Sequence, residues 1–167
     1  MNPYIIVTDS SCDMPASFCE GMPLEVLQLD VIVEGEEAAP NSAVDNAEFY
    51  AKLRNKKSAT TAAVSIEKFL SAMEAYAERG YDVLYLGFSS GLSGTYSAGA
   101  VAASELAEKY PNQKFFAVDT LAASLGQGLL VYLALCMQRD GADIETVRTW
   151  VEDNKLRMAH WFTVDDL

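Results

Sequence analysis

The sequence predicts an α/β domain built on a mostly parallel sheet with helices on both faces. Two observations carry that prediction. Short continuous apolar runs, YIIV (4–7), VLYLGF (83–88) and FFAV (115–118), each stop at a polar loop, as strands buried on both faces do. Between them lie longer stretches whose apolar residues recur at steps of three and four. Such alternation implies parallel pairing through right-handed crossovers. The 167 residues suit one domain, residues 1–167, with a sizeable core.

Each element has its own warrant. YIIV feeds the loop Thr8-Asp9-Ser10-Ser11, and Pro15 marks the start of a short helix. LEVLQLDVIV (24–33) alternates in part and is followed by EGEEA, a hairpin pattern around Gly35. Asp45 and Glu48 make a capping-box pattern ahead of a helix at 46–54, and NKKSATTAA (55–63) has no period and reads as a loop. Ser65 is the next N-cap, with Val64 and Phe69 at staple spacing; that helix runs to about Arg79 and stops at Gly80. Tyr96, Ala100, Ala103, Ala107 and Tyr110 outline a helix to about residue 110. Leu125, Leu129, Tyr132 and Cys136 mark a buried helix closed by Gly141. Asp143 caps the last helix, with Ile144, Val147 and Val151 inward, and HWFTV (160–164) reads as a fourth strand.

Composition narrows the function. Acidic residues (24) outnumber basic ones (12), for a formal charge of -12. Nucleic acids and anionic membranes are recognised by Lys and Arg, so both are disfavoured as partners. Cys12, Cys19 and Cys136 are odd in number and lack CxxC spacing, which suggests neither a disulfide framework nor zinc and fits a reducing, cytoplasmic setting. Asp9 comes too early for a signal peptide, and no apolar run reaches membrane-spanning length.

Three strand ends read TDSS, GFSSGLSG and VDT, all small and hydroxyl-bearing. Parallel sheets gather ligands at strand carboxyl ends, so these loops form one candidate site. A helix N-terminus offers free N–H groups and the positive end of the dipole. With serine and threonine hydroxyls added, it holds an anion without Lys or Arg. Gly91 and Gly94 permit close backbone approach. Ser90 and Ser93 read equally well as plain helix caps.

Other chemistries fit less closely. GLSGTYSAG matches neither GxGxxG nor a Walker A sequence. Ser93, Asp119 and His160 occur in the α/β-hydrolase order, which keeps a serine esterase as an alternative, but Thr95 stands where the elbow wants glycine. Asp9 and Asp119 fall short of a metal ligand set and read as loop ties.

Five segments, IIVTDSSCDMP, TAAVSIEKF, FSSGLSGTYSAGA, VDTLAASLGQGLLV and FTVDDL, together resemble the DegV family, in order and throughout the chain. The resemblance implies a cytoplasmic bacterial carrier, not an enzyme, that binds one long-chain fatty acid and needs no cofactor. Some members present that acid to a fatty-acid kinase, which phosphorylates its carboxylate. The family's Thr-Ser-Gln-Pro-Ser loop falls on 61–65, where Thr61 and Ser65 are kept and Ala62, Ala63 and Val64 differ. Its Ser-Gly-Leu-Ser-Gly-Thr-Tyr is intact at 90–96, and Thr120 stands where a serine is usual. The family's carboxylate contacts thereby fall on Thr61 and Ser93, with Ser89, Ser90, Gly91, Gly94, Asp9 and Ser10 as supporting candidates. Members continue past VDDL into a second domain that covers the acyl chain. The expectation is therefore a first domain lacking that second one; an interaction domain without ligand is the remaining alternative.

Overall fold

The computed structural model of the chain describes residues 2–163. Its centre is β1 (Tyr4–Asp9), buried at every position because it lies between two parallel neighbours. These are β2 (Leu24–Leu27) on one side and β6 (Asp82–Gly87) on the other, with β7 (Phe115–Asp119) outside β6. The order β2-β1-β6-β7 reverses direction at β1, so the crevice of such a sheet opens between the carboxyl ends of β1 and β6.

Strand pleating divides the apolar runs between two layers. On one face Ile5, Val7, Val83 and Tyr85 meet α2 (Ile66–Ala77) and α3 (Thr95–Lys109), with Phe69, Met73 and Leu106 closing the layer. On the other, Ile6, Leu84 and Leu86 meet α4 (Ser124–Arg139) and α5 (Ile144–Asn154) through Leu130, Val131, Val147 and Val151. Each large side chain so buried contributes about 1.5–3 kcal/mol of gross driving force. The Tyr85 ring stands edge-on to Phe69, centroids 4.8 Å apart. A β-carbon at Gly87 would lie 2.6 Å from the Tyr85 hydroxyl, so only glycine leaves the phenol its slot.

A second, antiparallel sheet of order β4-β3-β5 stands apart, made by β3 (Asp30–Val33), β4 (Ala39–Pro40) and β5 (Ala59–Ala62). The hairpin around Gly35 is present, with φ of 79° at that residue. The run 24–33 is two strands rather than one. Leu29 breaks it: its N–H donates to Ser10 Oγ at 3.0 Å and its carbonyl accepts from Asn41 N at 2.8 Å. The segment 55–63, expected as a loop, contains β5, which pairs with β3 residue for residue from Ala59↔Val33 to Ala62↔Asp30. Its alanines and threonines carry no apolar alternation, because the ladder and not burial holds the strand.

Helix caps fall where the sequence put them. Asp45 caps α1 (Asn46–Arg54), and Ser65 and Asp143 accept from Lys68 N and Thr146 N. Pro15 precedes only a single 3-10 turn, Ala16–Phe18. In α4 the buried face is Gln127, Leu130, Val131, Ala134 and Leu135, whereas Leu125 and Leu129 are exposed; this helix is apolar nearly all round, so periodicity alone chose the wrong stripe. The expected strand at 160–164 is not formed over residues 160–163, where Trp161 is 95% exposed; Val164 lies outside the described residues. No described helix is long and apolar enough to cross a membrane.

Candidate functional site

At the end of β1, Asp9 is fully buried and gathers four donors. Its Oδ1 accepts from Ser11 N at 3.2 Å. Its Oδ2 accepts from Tyr85 Oη and Phe88 N, each at 3.2 Å, and from Gln127 Nε2 at 3.4 Å. Burial first, then the Asp9 carboxylate, pushes the Tyr85 phenol far up, so it stays a donor. Asp119 does the same at the end of β7, accepting from Ser90 N at 3.2 Å and Leu121 N at 3.1 Å. Both acids tie loops. Among the described residues no group of three or more His, Cys, Asp or Glu stands ready to hold a metal ion.

Above this floor opens a cleft of ≈ 710 Å³, within the range of small-molecule sites. Thr61, on the last-but-one position of β5, and Ser93, just before α3, both line it. Ser10, Ser11, Asn41 and Ser124 add polar groups, and Leu29, Val31, Phe88 and Leu92 add apolar walls. Among the described residues no Lys, Arg or His lines it, and Asp13 is its one ionisable residue. Asp13 and Ser124 are held in the left-handed region, at φ of 48° and 49°. Residues so strained cluster at ligand sites.

The structure sorts the candidates. Thr61, Ser93 and Ser10 meet in the cleft, while Asp9 lies beneath it. Ser89, Ser90, Gly91 and Gly94 flank it in the β6–α3 loop without lining it. Ser93 is not the cap of α3, which is Gly94; one residue earlier, its Oγ accepts from Thr95 N at 3.2 Å and pairs with Thr95 Oγ1 at 3.0 Å. A β-carbon at Gly94 would meet nothing within 4 Å, so packing within the chain does not demand a glycine there. Sequence alone does not mark Ser11, Asn41, Ser124 or Gln127 as site residues. Ser11 lay inside the TDSS loop, but Asn41 sits in a stretch without pattern and Gln127 inside an apolar helix. The esterase constellation is not assembled. No hydrogen bond among the described residues joins Ser93, Asp119 and His160; His160 Nδ1 stands 3.1 Å from Met158 O, and its ring rests on Gly126.

These features define an α/β domain with a hydroxyl-lined cleft outside the carboxyl ends of β1 and β6. The chain belongs to the DegV family, whose model, described as that of an uncharacterised protein family, matches residues 4–167. The DegV domain-containing protein CPE0026 of Clostridium perfringens is 43% identical over 100% of this chain and 58% of its own length. YteA of Lactococcus lactis is 33% identical over 98% of this chain and 57% of its own. This chain thus spans little more than half of these relatives. A DegV family protein from Thermus thermophilus, described by its fatty acid binding, superposes with a TM-score of 0.81 at 30% identity, over 93% of this chain and 54% of its own. TM841 from Thermotoga maritima, described as revealing a fatty acid binding function, gives 0.78 at 31%, over 92% and 55%.

Proposed function

We propose that this chain supplies the head-group half of a long-chain fatty-acid site and works as a carrier rather than an enzyme. The observation that supports it most is that Thr61, from β5, and Ser93, from the β6–α3 loop, line one cleft with no cationic side chain among the described residues. A carboxylate there would take hydrogen bonds from the two hydroxyls and from first-turn N–H groups of α3. Ser93 can serve while it holds Thr95: with Thr95 Oγ1 as donor in their 3.0 Å pair, the Ser93 proton is free for the ligand.

The energetics agree. Burying roughly 14 methylenes at ~0.8 kcal/mol each gives on the order of 11 kcal/mol. Removing a carboxylate from water costs several kcal/mol, which neutral donors and a place near the mouth offset. Relatives of known structure described as fatty-acid binders share the fold at 30% and 31% identity. A head group at the open mouth also suits a partner of the fatty-acid kinase class, for which that carboxylate is the substrate.

Mass spectrometry of lipid released from the purified, denatured protein tests the reading. Co-purifying long-chain acid is expected from the natural sequence and little or none from Thr61→Ala/Ser93→Ala. Equal lipid in the two would remove the site assignment.

A further inference from the structure

Gln127 lies fully buried in the first turns of α4. Its Nε2 stands 3.0 Å from Thr8 Oγ1, 3.4 Å from Asp9 Oδ2 and 3.4 Å from Leu86 O. Thr8 Oγ1 donates its own proton to Leu86 O at 2.8 Å, so its oxygen is left to accept from Gln127. One amide therefore joins α4 to the ends of both strands that frame the crevice. Asp9 passes the tie outward to Ser11 N and Phe88 N, and both residues line the cleft. From Phe88 the loop turns to Ser93, whose N–H donates to Ser89 O at 3.2 Å.

Gln127 is not fully satisfied. Among the described residues its Oε1 is buried with no hydrogen-bond partner, a cost that an apolar side chain would not carry. A buried amide kept at that cost, with its donors spent on the strand ends that carry the cleft loops, is what a positioning role requires. We propose that Gln127 is a positioning residue for the head-group cleft. It orients the Asp9 carboxylate, which fixes the Ser11 and Phe88 backbones and through them the donor loops. The consequence for binding rests on the fatty-acid reading above.

Two variants, Gln127→Leu and Gln127→Glu, test it, with hexadecanoic acid as probe and backbone amide spectra of the unliganded protein as a second readout. Gln127→Leu should raise Kd about tenfold, the effect of one lost buried hydrogen bond. It should move the Ser11 and Phe88 amide signals and leave those of Phe69 and Met73 in place. Gln127→Glu faces the Asp9 carboxylate, to which the Tyr85 hydroxyl also donates. Ionised, it repels Asp9; protonated, it regains one donor. Its Kd relative to the natural protein should therefore fall toward unity as pH drops from about 8 to about 5, while the Gln127→Leu ratio stays constant. If Gln127→Leu does not fold, this pH-dependent ratio decides alone. A Gln127→Leu Kd equal to that of the natural protein, or unmoved Ser11 and Phe88 signals, overturns the assignment. If the natural protein binds no acid, the lipid reading fails, and the amide signals still decide the role of Gln127.

Discussion

Replacing Gly128 with alanine sets two effects of opposite sign against each other. Within a helix the change alone stabilises, by about 1 kcal/mol. Here the new β-carbon would stand 2.7 Å from the Cys12 carbonyl oxygen and 3.4 Å from Met14 Cβ. Ordinary contact begins at 3.4 Å, so α4 and the turn after β1 must part by roughly 0.7 Å. The obstacle is main chain, in a 3-10 turn held by Asp13 N–H to Ser10 O and by the Asp9 carboxylate. Overpacking of this kind costs ~1–3 kcal/mol. The balance is a loss of about 1 kcal/mol, or ~2–4 °C in melting temperature for a chain of this size. Thermal unfolding followed by circular dichroism reads it. Because the displaced turn carries Ser10 and Ser11, fatty-acid affinity should fall in the same variant. A Gly128→Ala protein that melts at or above the natural temperature would refute the reasoning, since helix propensity would then outweigh contact.

Two further predictions concern helix ends. Lys56 sits at φ of 65° just beyond α1, with its N–H on Leu53 O and that of Lys57 on Lys52 O. Lys56→Gly should therefore stabilise by up to ~1 kcal/mol, seen as a higher urea midpoint. Asp143 is held below its ordinary carboxylate value of 3.8, chiefly by the Thr146 N–H at the start of α5. Its stabilising effect is thus present above that ordinary value and lost as pH falls through the lower folded one. Asp143→Ala should melt lower than the natural protein at pH 7, and the gap should close in acid.

The parallel sheet was legible because β1 and β6 are buried at every position and β7 in part, and all three read as apolar runs. Ser65, Asp45 and Asp143 were legible as caps because each bonds within three residues of itself. What the sequence hid depends on distant partners. β5 exists through β3, some thirty residues earlier, and Leu29 ends a strand only because Ser10 and Asn41 claim its backbone. The face of α4 was hidden for another reason: apolar residues surround it, and a glutamine points inward. Thr61 and Ser93 were named from a motif resemblance, and chemistry at either position alone would not have joined them. Ser124 and Asn41 gave no local signal at all.

Carbon-13 NMR of carboxyl-labelled hexadecanoic acid tests the central claim most directly, because it observes the head group itself. The account predicts a bound carboxyl resonance distinct from the free acid, and its loss or displacement in Thr61→Ala/Ser93→Ala, with a melting temperature lowered by only ~2–4 °C for the lost Ser93 bond to Thr95 N. A bound resonance identical in the two proteins, or none in the natural one, would contradict it.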